Sequence, residues 1–357
     1  MNMTLRWYGP GYDTVTLEQI RQIPGVTGVV TTLMGKQPGE VWTKEEIREL
    51  KNVVEASGLE IAAIESVNIS DDIKIGTEKR EEHIKNYIET LDNLGSEGIN
   101  IVCYNFMPVF DWTRSDLNYV LPDGSTTLIF EADKIKTLDP SLGKLKLPGW
   151  DTSYEEHTLK ALLEQYQSID EEKLWENLEY FIKAVIPVCE EEDVKMAIHP
   201  DDPPWSILGL PRIMTNFESL KRLITLYDSP YNGITLCVGS LGCDLKNDVV
   251  KMIEYFGQEK RRIHFAHLRN ILVEKEGHFK EIGHLSEKGS LDFYKIVKAY
   301  IDYDFDGYYR SDHGRMIWGE TGRAGYGLYD RALGAVYING LIEGIQKSKS
   351  AYGGGNR

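Results

Sequence analysis

The 357-residue chain is 41% hydrophobic and 27% charged, a globular composition with material for a large core, and this excludes disorder and fibrous architecture. Its 40 Lys plus Arg against 56 Asp plus Glu give a formal charge of −16, which argues against a partner held by its phosphate backbone. Four cysteines in so long a chain do not make the disulfide framework of a small secreted domain, and no apolar run reaches signal or membrane-span length, so the sequence reads as cytoplasmic.

Short apolar runs alternate with segments of helical period. In chain order the pattern predicts strand 5–8 and helix 17–23, strand 25–32 and helix 43–57, strand 61–66 and helix 78–94, then strand 99–104. After a long connection come helix 171–192, strand 194–198, helix 216–227, strand 234–237 and helix 247–256. Strand 263–268, helix 291–301, strand 307–309 and helix 328–345 complete the series. Thr43 followed by Glu46 has the form of a capping box, and Gly58 stands just beyond the second helix.

Eight strands alternating with eight helices predict a single α/β domain, a (β/α)₈ TIM barrel with its reactive groups at the strands' C-terminal ends. A doubly wound sheet is the alternative, but no GxGxxG or GxxxxGK[ST] follows the first strands. The connection 105–170, after the fourth strand, breaks the rhythm. Its Asp111, Trp112, Arg114, Pro122-Asp123-Gly124 turn, Leu128 to Phe130 and Pro148-Gly149 predict an ordered insertion over the mouth of the site. Residues 348–357, with Gly353-Gly354-Gly355, read as a flexible tail.

Residues with metal-ligand chemistry recur where four consecutive strands end: His199, Cys237, His267 and Asp312. Adjacent strand ends stand about 5 Å apart, so these side chains can converge on one cation. His264 competes with His267 but points to the other face of the strand. Thiolate and imidazole suit zinc, whereas a site that also admits water and substrate oxygens suits an octahedral Mn²⁺ or Fe²⁺. Arg310, Arg315 and Arg323 place fixed cations at the same rim, appropriate to an anionic substrate, and glycines flank Tyr326.

Longer motifs carry a resemblance. Arg6-Trp7-Tyr8-Gly9-Pro10, Ile23-Pro24-Gly25, the run from Tyr104 to Arg114, His199-Pro200-Asp201-Asp202-Pro203-Pro204, His267-Leu268-Arg269-Asn270 and Asp312-His313-Gly314 together resemble the mannonate dehydratase family, from about Leu5 to Gly344. The resemblance implies a xylose-isomerase-like barrel that converts D-mannonate to 2-keto-3-deoxy-D-gluconate in hexuronate (glucuronate) breakdown, with Mn²⁺ or Fe²⁺. It carries the metal site to His199, Cys237, His267 and Asp312, and the acid and base to His313 and Tyr326. Ser311 and Asn68-Ile69-Ser70 depart from the family's usual Pro and Pro-Val-His-like run.

A dehydration at C2 and C3 needs one group to take a proton and another to give one. Tyr326 is expected as base and His313 as acid, with the swapped roles open, and Arg310 assists with the developing charge. Trp7, Asn105, Arg269, Arg315 and Arg323 are the expected substrate contacts, with Glu65 a further pocket residue. A metal-dependent sugar isomerase or epimerase and a non-catalytic sugar-acid binder are the rival functions, and a homodimer is the expected assembly.

Overall fold

The computed structural model describes residues 1–137 and 156–353. Its strands are β1 (Asn2–Arg6), β2 (Val26–Thr31), β3 (Glu60–Glu65), β4 (Ile101–Tyr104), β5 (Asp116–Val120) and β6 (Thr126–Glu131), then β7 (Lys195–Ile198), β8 (Asn232–Cys237), β9 (Ile263–His267), β10 (Asn270–Lys275), β11 (His278–Ile282) and β12 (Tyr308–Arg310). Eight of them close into a parallel barrel in the order β1-β12-β9-β8-β7-β4-β3-β2. Every barrel strand overlaps a predicted one.

Parallel neighbours require crossovers, and several of the helices begin where the sequence supplies a cap. Thr43 accepts from the Glu46 amide while the Glu46 carboxylate accepts from the Thr43 amide, opening helix Lys44–Ala56. Asn216 with Ser219 does the same for Phe217–Leu226, and Asp170 caps Glu171–Glu191. The last of these buries Leu174, Leu178, Phe181, Ile182 and Val185, spaced at three and four residues, in the principal core. The helix expected over 247–256 is α-helical only over Val249–Ile253 and continues as a π-helix over Glu254–Glu259.

Inside the ring, Val30, Ala63, Cys103 and Phe265 form a small cluster of their own, fully buried, with Ile101 and Tyr308 against it. Side chains alternate along a strand, so the residue two further on shares the inward face. That rule places a second layer, described below, above this one.

The insertion after the fourth strand was expected as an ordered segment over the mouth of the site, with no pairing partner assigned. The structure pairs its β5 and β6 with the β10–β11 hairpin, in the antiparallel order β10-β11-β6-β5. This accessory sheet is held by an aromatic cluster: Phe130 stacks on Phe279 with ring centroids 5.6 Å apart, and Trp205 lies 5.6 Å from Phe130. Pro148-Gly149 falls outside the described residues. Helix Leu328–Gly353 takes in residues 348–353, where a flexible tail was expected, and the last four residues lie outside the described part. Among the described residues no helix is long and apolar enough to cross a membrane, and all four cysteines are free and buried.

Candidate active site and metal centre

Two residues beyond Ala63, Cys103 and Phe265 stand Glu65, Asn105 and His267. Cys237 and Arg310 end β8 and β12, and His199 follows β7 directly. The ligand atoms of His199, Cys237 and His267 lie within 4.8 Å of one another. Asp312 completes the group, with one carboxylate oxygen 3.6 Å from Cys237 Sγ and the other 3.9 Å from His267 Nδ1. Its backbone has φ +60°, in the left-handed region that Asp tolerates better than most side chains. Ser311, which replaces the expected Pro, donates its hydroxyl to the Arg331 carbonyl at 2.9 Å, and its own carbonyl accepts from His284 Nε2 at 2.7 Å. The aim of Asp312 is therefore tied to the last helix and to His284. His264, the competitor, faces Gly233 outside the metal group.

The nitrogens are oriented for a cation. His199 Nδ1 donates to the Pro200 carbonyl at 2.6 Å, which turns Nε2 inward to 3.2 Å from His267 Nδ1. His267 Nε2, on the far side of its ring, faces the Glu65 carboxylate at 3.5 Å, the arrangement that typically orients a ligating histidine. Burial opposes charge on His199, but Cys237, Glu65 and Asp312 outweigh it and push its pKa up to about 9. Burial, with Arg310 beside it, holds His267 well below the ordinary value. Two inward nitrogens, a cysteine sulfur and a carboxylate thus converge, and a divalent ion fits these donors.

Beside this group lies a proton-sharing pair. His313 Nε2 is 2.8 Å from Tyr326 Oη, and His313 Nδ1 is 2.9 Å from both oxygens of Glu281 and from Arg269 Nη1. Burial, then the neighbouring Tyr8, raises the Tyr326 phenol well above its ordinary pKa, although Arg310 pulls the other way. The resting hydroxyl therefore keeps its proton. Tyr8 meets the Tyr326 ring edge-on at 5.0 Å, and the Trp112 ring lies 5.3 Å from His313.

Both groups open on a cavity of about 610 Å³. Arg310 bonds Asp312 and Glu65 through Nη2, at 2.9 and 3.0 Å, and its buried Nε and Nη1 have no hydrogen-bond partner. Arg269 also lines the cavity, but its guanidinium is committed to Asp202 at 2.6 Å, Glu281 at 3.3 Å and Asp312 at 3.6 Å. Asn105 is in the wall, donating to Asp111 at 3.1 Å, and so is Asn68 from the second departing run.

Three expected substrate contacts are elsewhere. Trp7 packs in the core, because β1 turns Arg6 and Tyr8, on either side of it, toward the cavity. Arg315 is held by Asp330 at 2.9 Å and Asp123 at 3.0 Å, and Arg323 lies over the outer face of Tyr8, 4.0 Å from the ring centroid. Neither lines the cavity. Arg114, considered as a mouth residue, is wholly buried in ion pairs with Asp202 at 2.8 Å and Glu281 at 2.6 Å. Sequence reasoning missed Glu281 and Asp202 as site residues. Asp202 belongs to the His199–Pro204 motif, but Glu281 gives no local signal, because nothing in His278–Ile282 says which face of the strand will turn inward.

The family model for D-mannonate dehydratase (UxuA) matches residues 1–352. The mannonate dehydratase of Streptococcus uberis is 56% identical over 98% of this chain and 99% of its own, and mannonate dehydratase 2 of Halalkalibacterium halodurans is 55% identical over 97% and 99%. The crystal structure of the mannonate dehydratase from Streptococcus suis serotype 2 superposes with a TM-score of 0.91 at 50% identity, covering 98% of this chain and 95% of that one. An L-ribulose 3-epimerase shares the fold, with a TM-score of 0.56 at 11% identity.

Proposed function

The chain belongs to the D-mannonate dehydratase family, and on that premise we propose that it removes water from D-mannonate to give 2-keto-3-deoxy-D-gluconate, with His199, Cys237, His267 and Asp312 holding a Mn²⁺ or Fe²⁺ ion. The observation that carries the reading is the adjacency of two devices: four convergent metal donors, and a histidine–tyrosine pair 2.8 Å apart on the same cavity wall.

Bound among those donors, the ion would supply Lewis acidity to the sugar acid's carboxylate and C2 hydroxyl, easing loss of a poorly acidic C2 proton. The chain's own groups do the rest. The unpartnered N–H groups of Arg310 receive a carboxylate oxygen and stabilise charge as it develops. Tyr326 Oη passes its proton to His313 Nε2 and then takes the C2 proton. The electron pair of the C2–H bond forms the C2=C3 double bond as the C3–O bond breaks, and His313 returns its proton to the departing hydroxyl as water. The enol tautomerises to the ketone. Tyr326 ends protonated and His313 neutral, as both began. This keeps tyrosine as base and histidine as acid while accounting for a phenol that burial holds neutral at rest. The Trp112 ring, 5.3 Å from His313, would help to shield the transfer from water.

Incubating the Mn²⁺-loaded chain with D-mannonate should yield a 2-keto-3-deoxy product, and a chelator should abolish it. Epimerised ketohexose with no such product would move the assignment to the isomerase class, and binding without turnover would make it a sugar-acid binder. The distant epimerase likeness supports the fold alone, and a set of two imidazoles, a thiol and one carboxylate differs from the carboxylate-rich sites expected of isomerases. A homodimer is supported by the exposed aromatics Trp318 and Tyr329, 5.6 Å apart, with Leu333 and Val336 along the same helix. Sedimentation of the purified chain tests it. A cytoplasmic location fits four free, buried thiols.

A further inference from the structure

Strand β11 is short, and its burial alternates: Phe279 and Glu281 face inward, while His278, Lys280 and Ile282 are half-exposed. On a period-two strand that packs Phe279 against Phe130 and Trp205, the second inward position calls for another apolar side chain. It holds a carboxylate instead, with its side chain 3% exposed. A local rule broken inside a core marks either an ion-pair need or a functional one.

Ion pairing does not account for it fully. Asp202 pairs with Arg114 through both oxygens, at 2.8 and 2.9 Å, and with Arg269 at 2.6 Å. Glu281 reaches the same two arginines, but it alone of the two carboxylates also meets His313, with both oxygens 2.9 Å from Nδ1. Arg269 Nη1, also 2.9 Å from Nδ1, can only donate and favours a bare Nδ1, so it is the two carboxylate oxygens that draw the proton there and leave Nε2 with its lone pair toward Tyr326 Oη. The Thr127 hydroxyl, on β6, donates to the Glu281 carbonyl at 2.9 Å and fixes the strand that carries it.

We propose that Glu281 is a positioning residue for the dehydration, holding His313 in the tautomer and orientation that accept the Tyr326 proton and balancing the positive charge His313 then carries, and that the accessory sheet is the part of the fold that brings it there. It rests on the dehydratase reading above. Glu281 touches no reacting atom; it acts through His313. The two chain segments that build the sheet, one after β4 and one after β9, thereby become parts of one catalytic assembly.

The test compares three variants of the full-length, metal-loaded chain. Glu281→Gln keeps an acceptor and loses the charge, and its kcat should fall about 10- to 100-fold with KM and metal content within about threefold of wild type. Glu281→Leu loses both and should lie lower still. Arg114→Met strips the same ion network without touching His313, and should lower Tm while leaving kcat within about fivefold. Long-range ¹H–¹⁵N spectra, recorded with a diamagnetic ion, should show the His313 proton on Nδ1 in wild type and in Glu281→Gln. In Glu281→Leu that preference should be lost. Wild-type kcat in Glu281→Gln, or a kcat loss in Arg114→Met matching that in Glu281→Leu, overturns the proposal. If Glu281→Leu does not fold, the other two variants decide. A wild-type chain that leaves mannonate intact sinks the dehydratase reading instead, and the tautomer spectra then judge Glu281 alone.

Discussion

His199 and Tyr326 show how environment, more than residue type, sets what a group does. His199 has a folded-state pKa of about 9 against an ordinary 6.5. A raised value means that its contribution to the stability of the metal-free chain is complete below about pH 6.5 and lost as pH rises through 9. Metal-free protein should therefore lose Tm between pH 7 and 9.5, and His199→Gln should flatten that slope; a flat wild-type profile would contradict the assignment. Metal competes with the same proton, so affinity for Mn²⁺ should rise over that interval. Tyr326→Phe should cost about 10²- to 10⁴-fold in kcat with metal content unchanged, by steady-state kinetics and elemental analysis. The convergence of His199, Cys237, His267 and Asp312 was legible because a strand-end rule in a barrel is local. Trp7 was misplaced because β1 ends at Arg6, and a slip of one residue exchanges the core face for the cavity face. Glu281 was illegible because its partners lie 32 residues ahead at His313 and 167 behind at Arg114.

At the scale of elements, the eight barrel strands and their helices announce themselves through continuous apolar runs, caps and glycine stops. The accessory sheet does not. β5 has only half-exposed and exposed positions, β11 alternates over five residues, and their sheet forms only when segments more than 140 residues apart meet. Its stability comes from the Phe130, Trp205 and Phe279 cluster more than from strand propensity. Phe279→Ala should cost about 3–5 kcal/mol, read from a urea transition, and should weaken catalysis more than metal binding because the same strand carries Glu281. An unchanged midpoint would mean that the sheet is held by other contacts. The π-helical turn Glu254–Glu259 is the other departure that no local signal foretold; Tyr255 and Phe256 there both pack on Phe217.

For the molecule as a whole, a formal charge of −16 coexists with a cavity whose lining balances Arg6, Lys36, Lys74, Arg269 and Arg310 against Glu65, Asp71, Asp111, Asp202 and Asp312. An acidic exterior disfavours a polyanion, while inside the cavity the unpartnered N–H groups of Arg310 are free to receive a small anion. KM for mannonate should rise several-fold between low salt and about 0.5 M salt, with kcat nearly constant, because screening weakens capture more than chemistry. A salt-independent KM would mean that the metal alone holds the carboxylate. In this reading one divalent ion is shared by residues from the ends of four successive barrel strands. Anomalous diffraction from crystals soaked in Mn²⁺ tests it most directly. A single strong peak is expected about 2.0–2.4 Å from His199 Nε2, Cys237 Sγ, His267 Nδ1 and an Asp312 oxygen; a peak elsewhere, or none at these four atoms, would contradict a shared ion.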